Sequence, residues 1–316
     1  MRALTLNRTL EFKRDYPEPS PAPGESLIRV RMAGICGTDL ELVQGYMTFE
    51  GVPGHEFVGE VVATARRDSA GKRVVGEINA SCRECEWCAG ALGRHCPRRT
   101  VLGILGRDGA FAEYLCLPDE NLIEVPASVP DEAAVFTEPL AAAYEIFDQV
   151  SLRNDQKIVV LGDGRLGAIV AMALAAEGLK PVIAGHHRDK LARLEALGLT
   201  TWMEADIAPG ADVVIDCTGS AAGFRRALEL VRPRGTLILK STAAGSASLN
   251  LAPIVVNEVA VIGSRCGRFA PALAALTIGK IDPRALISAV FPLEDGLAAF
   301  ARAAESPNFK VLLRVS

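Results

Sequence analysis

Four cysteines lie close together in one polar segment of the chain. Cys82, Cys85, Cys88 and Cys96 follow the pattern C-x-x-C-x-x-C-x7-C, and the residues between them include arginines and glutamates. In a reducing compartment a cluster of this kind holds a metal more often than it forms disulfides. Four thiolates complete a tetrahedron around zinc and leave no position open for water or substrate. The spacing therefore predicts a structural zinc site, with a redox or iron–sulfur role as the alternative.

A second set of potential metal ligands comes from three other segments. Cys36 and Thr38 lie in "CGTDLE", His55 and Glu56 in "GHEF", and Glu138 in "TEPLAAAYE". A thiolate, an imidazole and carboxylates are the ligand types of catalytic zinc, which keeps one coordination position open. A lone Cys and a lone His are more often core residues than ligands. The cysteine tetrad downstream, together with a glycine turn after it, favours the metal-binding interpretation here.

That glycine turn marks the second half of the chain. Gly162, Gly164 and Gly167 form G-x-G-x-x-G directly after the apolar run "KIVVL" and at the start of a predicted helix. In such a turn the first glycine permits the sharp bend, the second lets the backbone approach a pyrophosphate, and the third lets the helix pack on the strand. The helix N-terminus adds N–H donors and a positive dipole. The turn, with Arg165 and Leu166 in it, predicts a dinucleotide site, and a packing turn without a ligand is the alternative.

Cofactor choice depends on residues about 20 positions further on, at the end of the second strand. An NAD-binding domain usually places an acidic residue there, but this chain has a glycine followed by His186, His187 and Arg188. These residues remove repulsion toward a 2′-phosphate and supply donors to hold it. The sequence therefore favours NADP(H) over NAD(H). In the alternative interpretation they are solvated residues at a helix start, and Asp189 reaches the ribose.

Two kinds of sequence pattern follow one another and indicate an α/β protein. Short β-rich runs broken by Gly and Pro extend to about residue 125, and from about residue 156 apolar strands alternate with amphipathic helices. Alternation of this kind predicts a parallel sheet that is covered on both faces. Residues 291–316 predict one helix and one strand that return to the first domain. The helices of the second half are predicted over residues 165–177, 188–197 and 223–231.

The change of pattern also predicts the domain boundaries. We expect a first domain from residues 1–142 and 268–316, with a zinc lobe at about 80–98, and a second domain from residues 143–267. The length of 316 residues agrees with two domains.

Composition excludes several classes of partner. The chain is 49% hydrophobic and 23% charged, which is typical of an ordinary globular protein. Its net charge is −4 and it has no basic run, so we expect neither a nucleic acid nor a membrane as partner. Neither a signal-peptide core nor a membrane-length apolar segment is evident, and this predicts a cytoplasmic protein.

The motifs, in their order along the chain, resemble a known family. "CGTDLE", "GVPGHEFVGEVV", the cysteine segment, "EPLA" and "VLGDGRLG" are similar to the zinc-dependent alcohol dehydrogenases of the medium-chain dehydrogenase/reductase superfamily, especially its polyol, threonine and glucose dehydrogenase branches. The resemblance implies a GroES-like β domain with a zinc lobe, followed by a Rossmann domain with a doubly wound parallel sheet. It also implies one structural zinc at the tetrad and one catalytic zinc held by Cys36, His55 and Glu56. Glu138 would be a further ligand or the partner of a water molecule there.

The same resemblance implies a reaction. A hydride would move between NAD(P) and a secondary alcohol, polyol or sugar, or the corresponding carbonyl, in a homodimer or homotetramer. Thr38 would pass the proton outward. Many members continue this relay with a histidine five residues after the zinc cysteine, where this chain has Glu41. The alternative is a non-enzymatic zinc- and nucleotide-binding relative that acts as a sensor, structural or accessory protein, although a sensor would not need an open metal site.

Overall fold

The chain forms two compact units. Met1–Glu138 and Phe269–Ser316 make up the first unit, and Pro139–Arg268 makes up the second. The domain boundaries expected from the sequence, 142/143 and 267/268, stay a prediction. No helix in the part of the chain with described coordinates is long and apolar enough to cross a membrane. The computed structural model describes residues 1–66, 69–242 and 248–315.

The N-terminal part of the first unit is mostly β-structure. Its strands are β1 (Ala3–Asn7), β2 (Thr9–Lys13), β3 (Glu25–Ile35), β4 (Glu56–Ala63), β5 (Arg73–Gly76), β6 (Asn79–Ala80), β7 (Thr100–Val101), β8 (Tyr114–Pro118) and β9 (Leu122–Glu124). Its helices are α1 (Gly37–Val43), α2 (Glu86–Ala89), α3 (Asp131–Ala134) and α4, which begins here and spans Thr137–Gln149.

The second unit contains a parallel sheet of six strands within the described residues. The strands are β10 (Ile158–Leu161), β11 (Val182–Gly185), β12 (Thr200–Met203), β13 (Ala211–Asp216), β14 (Val231–Leu239) and β15 (Ala260–Gly263). The helices are α5 (Arg165–Ala176), α6 (Arg188–Glu195), α7 (Ala221–Leu230) and α8 (Ala252–Val256).

The strand order of this sheet is β12-β11-β10-β13-β14-β15, and every pairing is parallel. Counted within the unit the order is 3-2-1-4-5-6, the Rossmann arrangement, whose ligands bind where the order reverses, beside β10. All four residues of β10 are buried, as expected for a central parallel strand covered on both faces. The predicted doubly wound sheet is confirmed.

The chain then returns to the first unit. This last part contains α9 (Phe269–Thr277), β16 (Ile287–Pro292), α10 (Gly296–Ala304) and β17 (Lys310–Arg314). β17 pairs antiparallel with β3 in a sheet ordered β16-β17-β3-β4-β5-β9. Single turns of 3₁₀ helix lie at Tyr46–Thr48, Gly93–His95, Asp119–Asn121, Glu204–Asp206, Pro283–Leu286 and Leu293–Asp295.

Strand β3 is the centre of that sheet. It pairs with β4 over most of its length, with β8 over Glu25–Arg29 and with β17 over Met32–Ile35. Its first residues alternate between buried and more exposed, and its last four are all buried. The end of β3 therefore lies in the core of the unit, next to the start of β4 and the start of β17.

The predicted helices of the second half are present with small differences at their ends. The helix predicted over 223–231 begins earlier, at Ala221, because Ser220 caps it by accepting a hydrogen bond from the Gly223 N–H. β12 and β16 were not predicted. Both are end strands of their sheets with many half-buried or exposed residues. β12 has no apolar run, whereas β16 contains the apolar residues Ala289, Val290 and Phe291, which were not assigned to a strand from the sequence.

Candidate metal and dinucleotide sites

The four clustered cysteines converge in the loop between β6 and β7. Their sulfur atoms are 3.9 Å apart for Cys82 and Cys88, 3.5 Å for Cys85 and Cys88, 3.7 Å for Cys85 and Cys96, and 3.4 Å for Cys82 and Cys96. A tetrahedron with zinc–sulfur bonds of about 2.3 Å requires sulfur–sulfur distances of about 3.8 Å. A disulfide would require about 2.05 Å. The geometry therefore fits zinc.

Cysteine binds metal as the thiolate, and the surroundings of this tetrad favour that form at two of its four residues, Cys82 and Cys88. A hydrogen bond from the backbone of Glu84 lowers the pKa of Cys82 to about 6. Burial raises the pKa of Cys88, but hydrogen bonds from Cys85 and Ser81 outweigh it, so the pKa of Cys88 is lowered overall. A backbone hydrogen bond from Cys88 lowers the pKa of Cys85, but burial and the side-chain hydrogen bonds with Cys88, Cys82 and Cys96 outweigh it and raise that pKa to about 11. The segment thus lowers the pKa of two of its thiols and raises that of a third.

A second cluster lies at the end of β3 and the start of β4. The ligand atoms of Cys36, His55 and Glu56 all lie within 4.8 Å of one another. Cys36 precedes α1 as its N-cap residue, and its backbone N–H donates to the Asp39 carboxylate at 2.7 Å. Antiparallel pairing of β3 with β4 places Gly34 opposite Glu56, and this register brings the three ligand types together.

The electrostatics of this cluster favour a cation. His55 and Asp39 are 3% and 0% exposed, and the His55 Nδ1 lies 3.3 Å from the Asp39 Oδ1. Burial lowers the pKa of His55, but the charges and hydrogen bonds of Asp39 and Cys36 outweigh it and raise that pKa well above its ordinary value. The same negative surroundings would stabilise a bound divalent ion.

The two carboxylate oxygens of Glu56 have different surroundings. Oε2 accepts a hydrogen bond from the Lys310 Nζ at the start of β17, and both side chains are almost fully buried. Oε1 is buried and has no hydrogen-bond partner in the part of the chain that is described. Gly34 makes this arrangement possible, since a Cβ there would overlap with the Glu56 carboxylate. A buried oxygen without a donor is what a metal ligand needs, so the residues fit a catalytic zinc.

The structure says less about Thr38 and Glu138, the other two predicted catalytic residues. Thr38 lies in the first turn of α1, and Glu138 in the first turn of α4. Among the described residues, the group within 4.8 Å contains neither of them. Glu41, on the same helix as Thr38, is partly buried, and this burial raises its pKa. The roles of Thr38 and Glu138 stay predictions.

The glycine turn has the local geometry that its sequence predicts. Gly162 has φ +117°, and its N–H donates to the Ala184 carbonyl at 2.8 Å. A Cβ on Gly167 would overlap with the Gly162 carbonyl, so the third glycine lets α5 pack against the turn. A Cβ on Gly164, by contrast, would meet nothing within 4 Å. The protein itself therefore has no steric need for glycine at 164, which leaves the approach of a ligand as the reason for it.

A cavity of about 580 Å³ lies beside this turn within the second unit. Gly162, Gly164, His186 and His187 line it, whereas Arg188, also predicted to bind the cofactor, is not among its lining residues in the described chain. Its remaining charged lining residues are Asp163, Glu204, Arg225, Arg226 and Glu229.

Sequence reasoning missed the contribution of Asp163. Its carboxylate fills the space beside Gly185, at the end of β11, and contacts His187. The strand end thus has an acidic group beside it, supplied from the turn and not from the strand. The only sequence signal for it is an acid inside the first G-x-G.

Comparisons with known proteins agree with this geometry. Residues 22–127 match the family model described as alcohol dehydrogenase GroES-like domain, and residues 166–277 match the one described as zinc-binding dehydrogenase. The chain is 29% identical to a sorbitol dehydrogenase from Halalkalibacterium halodurans, over 99% of each chain. It is 30% identical to an L-threonine 3-dehydrogenase from Chelativorans sp., over 99% of this chain and 98% of the relative. An alcohol dehydrogenase from Thermus sp. ATN1 has a similar structure, with a TM-score of 0.90, 28% identity and complete coverage of both chains.

Proposed function

This chain belongs to the zinc-dependent medium-chain dehydrogenases, and from that premise we propose that it moves a hydride between NAD(P) and a secondary alcohol, polyol or sugar, or the corresponding carbonyl. The observation that carries this proposal is the Cys36, His55 and Glu56 cluster, with its buried carboxylate oxygen left for a metal. A sensor or structural relative would need the fold and the glycine turn but not this cluster.

Two zinc ions per chain have different tasks in this proposal. The tetrad would hold one ion in a closed, four-sulfur site that stabilises its loop. Cys36, His55 and Glu56 would hold the other, which supplies Lewis-acid polarisation of the substrate oxygen. Lys310 holds one Glu56 oxygen, and Asp39 orients Cys36 through its backbone and faces His55.

The protein's own residues move the proton in this reaction. The Thr38 hydroxyl, two residues from Cys36, would accept the proton of the substrate alcohol and pass it outward. Glu138 would supply a further carboxylate to the catalytic zinc or to a water molecule near it. Run in the opposite direction, the same groups would return a proton to the oxygen of a reduced carbonyl.

NADP(H) is the cofactor that we propose, in preference to NAD(H). The strand-end position, which is usually acidic in NAD-binding domains, is Gly185 in this chain. His186 and His187 follow it on the edge of the cavity, and their side chains are exposed. Imidazole N–H groups can bind a phosphate there. Asp163 lies next to them and contacts His187.

We also propose a second copy of this chain as partner, in a homodimer or homotetramer. β15 hydrogen-bonds only to β14 among the described strands, so its other edge is free to pair. Val255 and Val256 in the neighbouring helix α8 are 76% and 78% exposed, and Val261 on β15 is 38% exposed. At the end of this edge the Gly263 carbonyl already accepts a hydrogen bond from the Gln149 Nε2. The rest of the edge, beside exposed valines, suits pairing of two identical edges.

A reducing compartment such as the cytoplasm suits the cysteines. All eight lie within the described residues, and none of them forms a disulfide. Oxidation would remove the zinc ligands of the tetrad.

The proposed function is tested by metal content and turnover together. Two zinc ions per chain and hydride transfer from at least one sugar, polyol or simple alcohol, measured by absorbance of the reduced cofactor, would support it. One zinc per chain with no turnover on the whole panel, in either direction and with either cofactor, would support the non-enzymatic alternative.

A further inference from the structure

We propose that Asp163 selects the 2′-phosphate of the cofactor by positioning His187. This inference rests on the proposed function, because it concerns the same dinucleotide site. It assigns the specificity of that site to a residue of the glycine turn and not to the strand end, where dinucleotide domains usually place it.

The first observation is steric. A Cβ on Gly185 would lie within 2.5 Å of three side-chain atoms of Asp163. Gly185 has no positive φ, so its backbone would accept any residue and only the contact with Asp163 requires glycine there. An acid at 185 and an acid at 163 therefore exclude each other. In this chain the acid beside the strand end is supplied by the turn, at Asp163.

The second observation is the set of hydrogen bonds that Asp163 makes. Its Oδ2 accepts from the His187 backbone N–H at 2.7 Å, and the His187 Nδ1 lies 3.0 and 3.1 Å from its two oxygens. These contacts place a hydrogen on Nδ1 and leave Nε2 as the remaining polar atom of the ring.

The third observation is the difference in exposure between these partners. The Asp163 side chain is 7% exposed, whereas the His187 side chain is 50% exposed. The carboxylate thus lies behind the imidazole, and the imidazole is the group that a ligand meets. Asp163 acts through His187, so it is a positioning residue.

The charges around the cavity explain why a phosphate needs this pair. Glu204 and Glu229 both bind Arg226, so the Arg226 guanidinium is already paired within the cavity wall. A phosphate beside the Asp163 carboxylate requires a cation between them. The proposed cation is the His187 imidazolium that forms when a phosphate binds at Nε2, with Asp163 holding the ring through Nδ1, just as an aspartate stabilises an imidazolium in hydrolase triads. Arg225, an exposed lining residue, is a further cation within the same cavity.

The test measures binding of NADPH and NADH to the zinc-loaded full chain by the fluorescence of the reduced cofactors. Asp163→Asn keeps the shape of the side chain and removes its charge. We expect the dissociation constant for NADPH to rise about tenfold and that for NADH to change less than about twofold. Asp155→Asn is the matched control, since Asp155 is exposed and paired with Arg153 away from the cavity. It should leave both constants unchanged.

Exchanging the residues at positions 163 and 185 tests the steric argument. Gly185→Asp alone should lower the melting temperature, because the new side chain collides with Asp163. Combining it with Asp163→Gly should restore the melting temperature and produce a chain that binds NADH more tightly than NADPH. A double variant whose melting temperature stays as low as that of Gly185→Asp would contradict the inference that side chains at positions 163 and 185 exclude each other.

Each remaining outcome decides between the hypotheses. An unchanged ratio of the two constants in Asp163→Asn would overturn the inference, and tighter NADPH binding would do so as well, because Asp163 would then repel the phosphate. If Asp163→Asn does not fold, His187→Gln should show the same selective loss of NADPH binding with Asp163 intact, and an unchanged ratio there would overturn the inference. Wild-type protein that binds neither cofactor would contradict the proposed function itself.

Discussion

The two clusters of potential metal ligands in the first unit are built in opposite ways. The tetrad takes all its ligands from residues 82–96, and its sulfur atoms already have the spacing of a zinc tetrahedron. The other cluster joins the end of β3 to the start of β4 and depends on Lys310, 254 residues away from Glu56 in the sequence. A closed structural site can thus be local, whereas an open catalytic site is held by the sheet around it.

The clusters also differ in how their charge is balanced. The tetrad lies in a half-exposed loop, where solvent screens its thiolates. In the other cluster Asp39 and Glu56 are fully buried, and the charge of Lys310 compensates only part of their charge. Counting Cys36 as a thiolate, the three negative groups and Lys310 leave a charge of about −2, which one divalent ion neutralises. We therefore expect metal removal to affect the two sites differently.

The largest effect is expected from Cys85→Ser in the tetrad. Structural zinc contributes roughly 10–16 kcal/mol of apparent binding free energy in small zinc domains, so its loss should unfold the loop and reduce the yield of folded protein sharply. Metal analysis of the protein that does fold should find about one zinc per chain, with turnover per folded chain changed far less than the yield. Abolished turnover with unchanged stability and two zincs would mean that the tetrad is misassigned.

Cys36→Ser is expected to have a smaller effect, which acts on the activation free energy of the reaction and not on folding. Removing the thiolate should weaken the catalytic zinc and lower kcat/KM by about a thousandfold, since Lewis-acid activation is worth several kcal/mol. The melting temperature should change little, because Cys36 is only half-buried and the tetrad remains intact. Steady-state kinetics and a thermal scan check the two halves of this prediction. A loss of stability as large as that of Cys85→Ser would contradict the proposed difference between the two clusters.

Lys310→Met tests the buried charge balance. It leaves the Glu56 carboxylate buried without its partner, which should destabilise the metal-free protein by about 3–5 kcal/mol. Bound zinc should recover much of this loss, because the ion then faces the same carboxylate. Denaturant unfolding of metal-free and zinc-loaded protein measures the difference.

Lys72→Met is the matched control for this variant. Lys72 pairs with Glu124 in an exposed ion pair, whose side chains are 41% and 57% exposed. Its loss should change stability by about 0–1 kcal/mol with or without zinc. An equal loss in metal-free and zinc-loaded Lys310→Met protein would indicate that Lys310 only fills space in the core.

The sequence predicted the local features of the two units and not the non-local ones. The tetrad and the glycine turn were predicted because their chemistry depends on spacing within a few residues. The alternation of strands and helices likewise predicted the order of the second unit. Cys36, His55 and Glu56 were favoured as metal ligands by their residue types together with the tetrad and the glycine turn. Their assignment as one ligand set needed the family resemblance, since 18 residues without a metal-binding spacing lie between Cys36 and His55.

The supporting residues could not be predicted, for a physical reason. Lys310 reaches Glu56 only because β17 pairs with β3, and Asp163 contacts His187 only because Gly185 leaves room beside it. The contacts of Lys310 with Glu56 and of Asp163 with His187 depend on sheet register and on space left by a missing side chain. No periodicity or motif in one sequence records either of them.

The smallest effect is expected from Thr38→Val, which keeps the shape of the side chain and removes its hydroxyl. If Thr38 passes the substrate proton, kcat should fall by about a hundredfold, which is roughly 2.7 kcal/mol. Zinc content and the melting temperature should stay unchanged, since Thr38 belongs to neither ligand set. Thr38→Ser restores the hydroxyl and should recover most of the activity, and the pH dependence of kcat should shift in the Val variant alone. Full activity in Thr38→Val would show that the proton leaves by another route, and Glu41 on the same helix, whose pKa burial raises, would then be the next residue to replace.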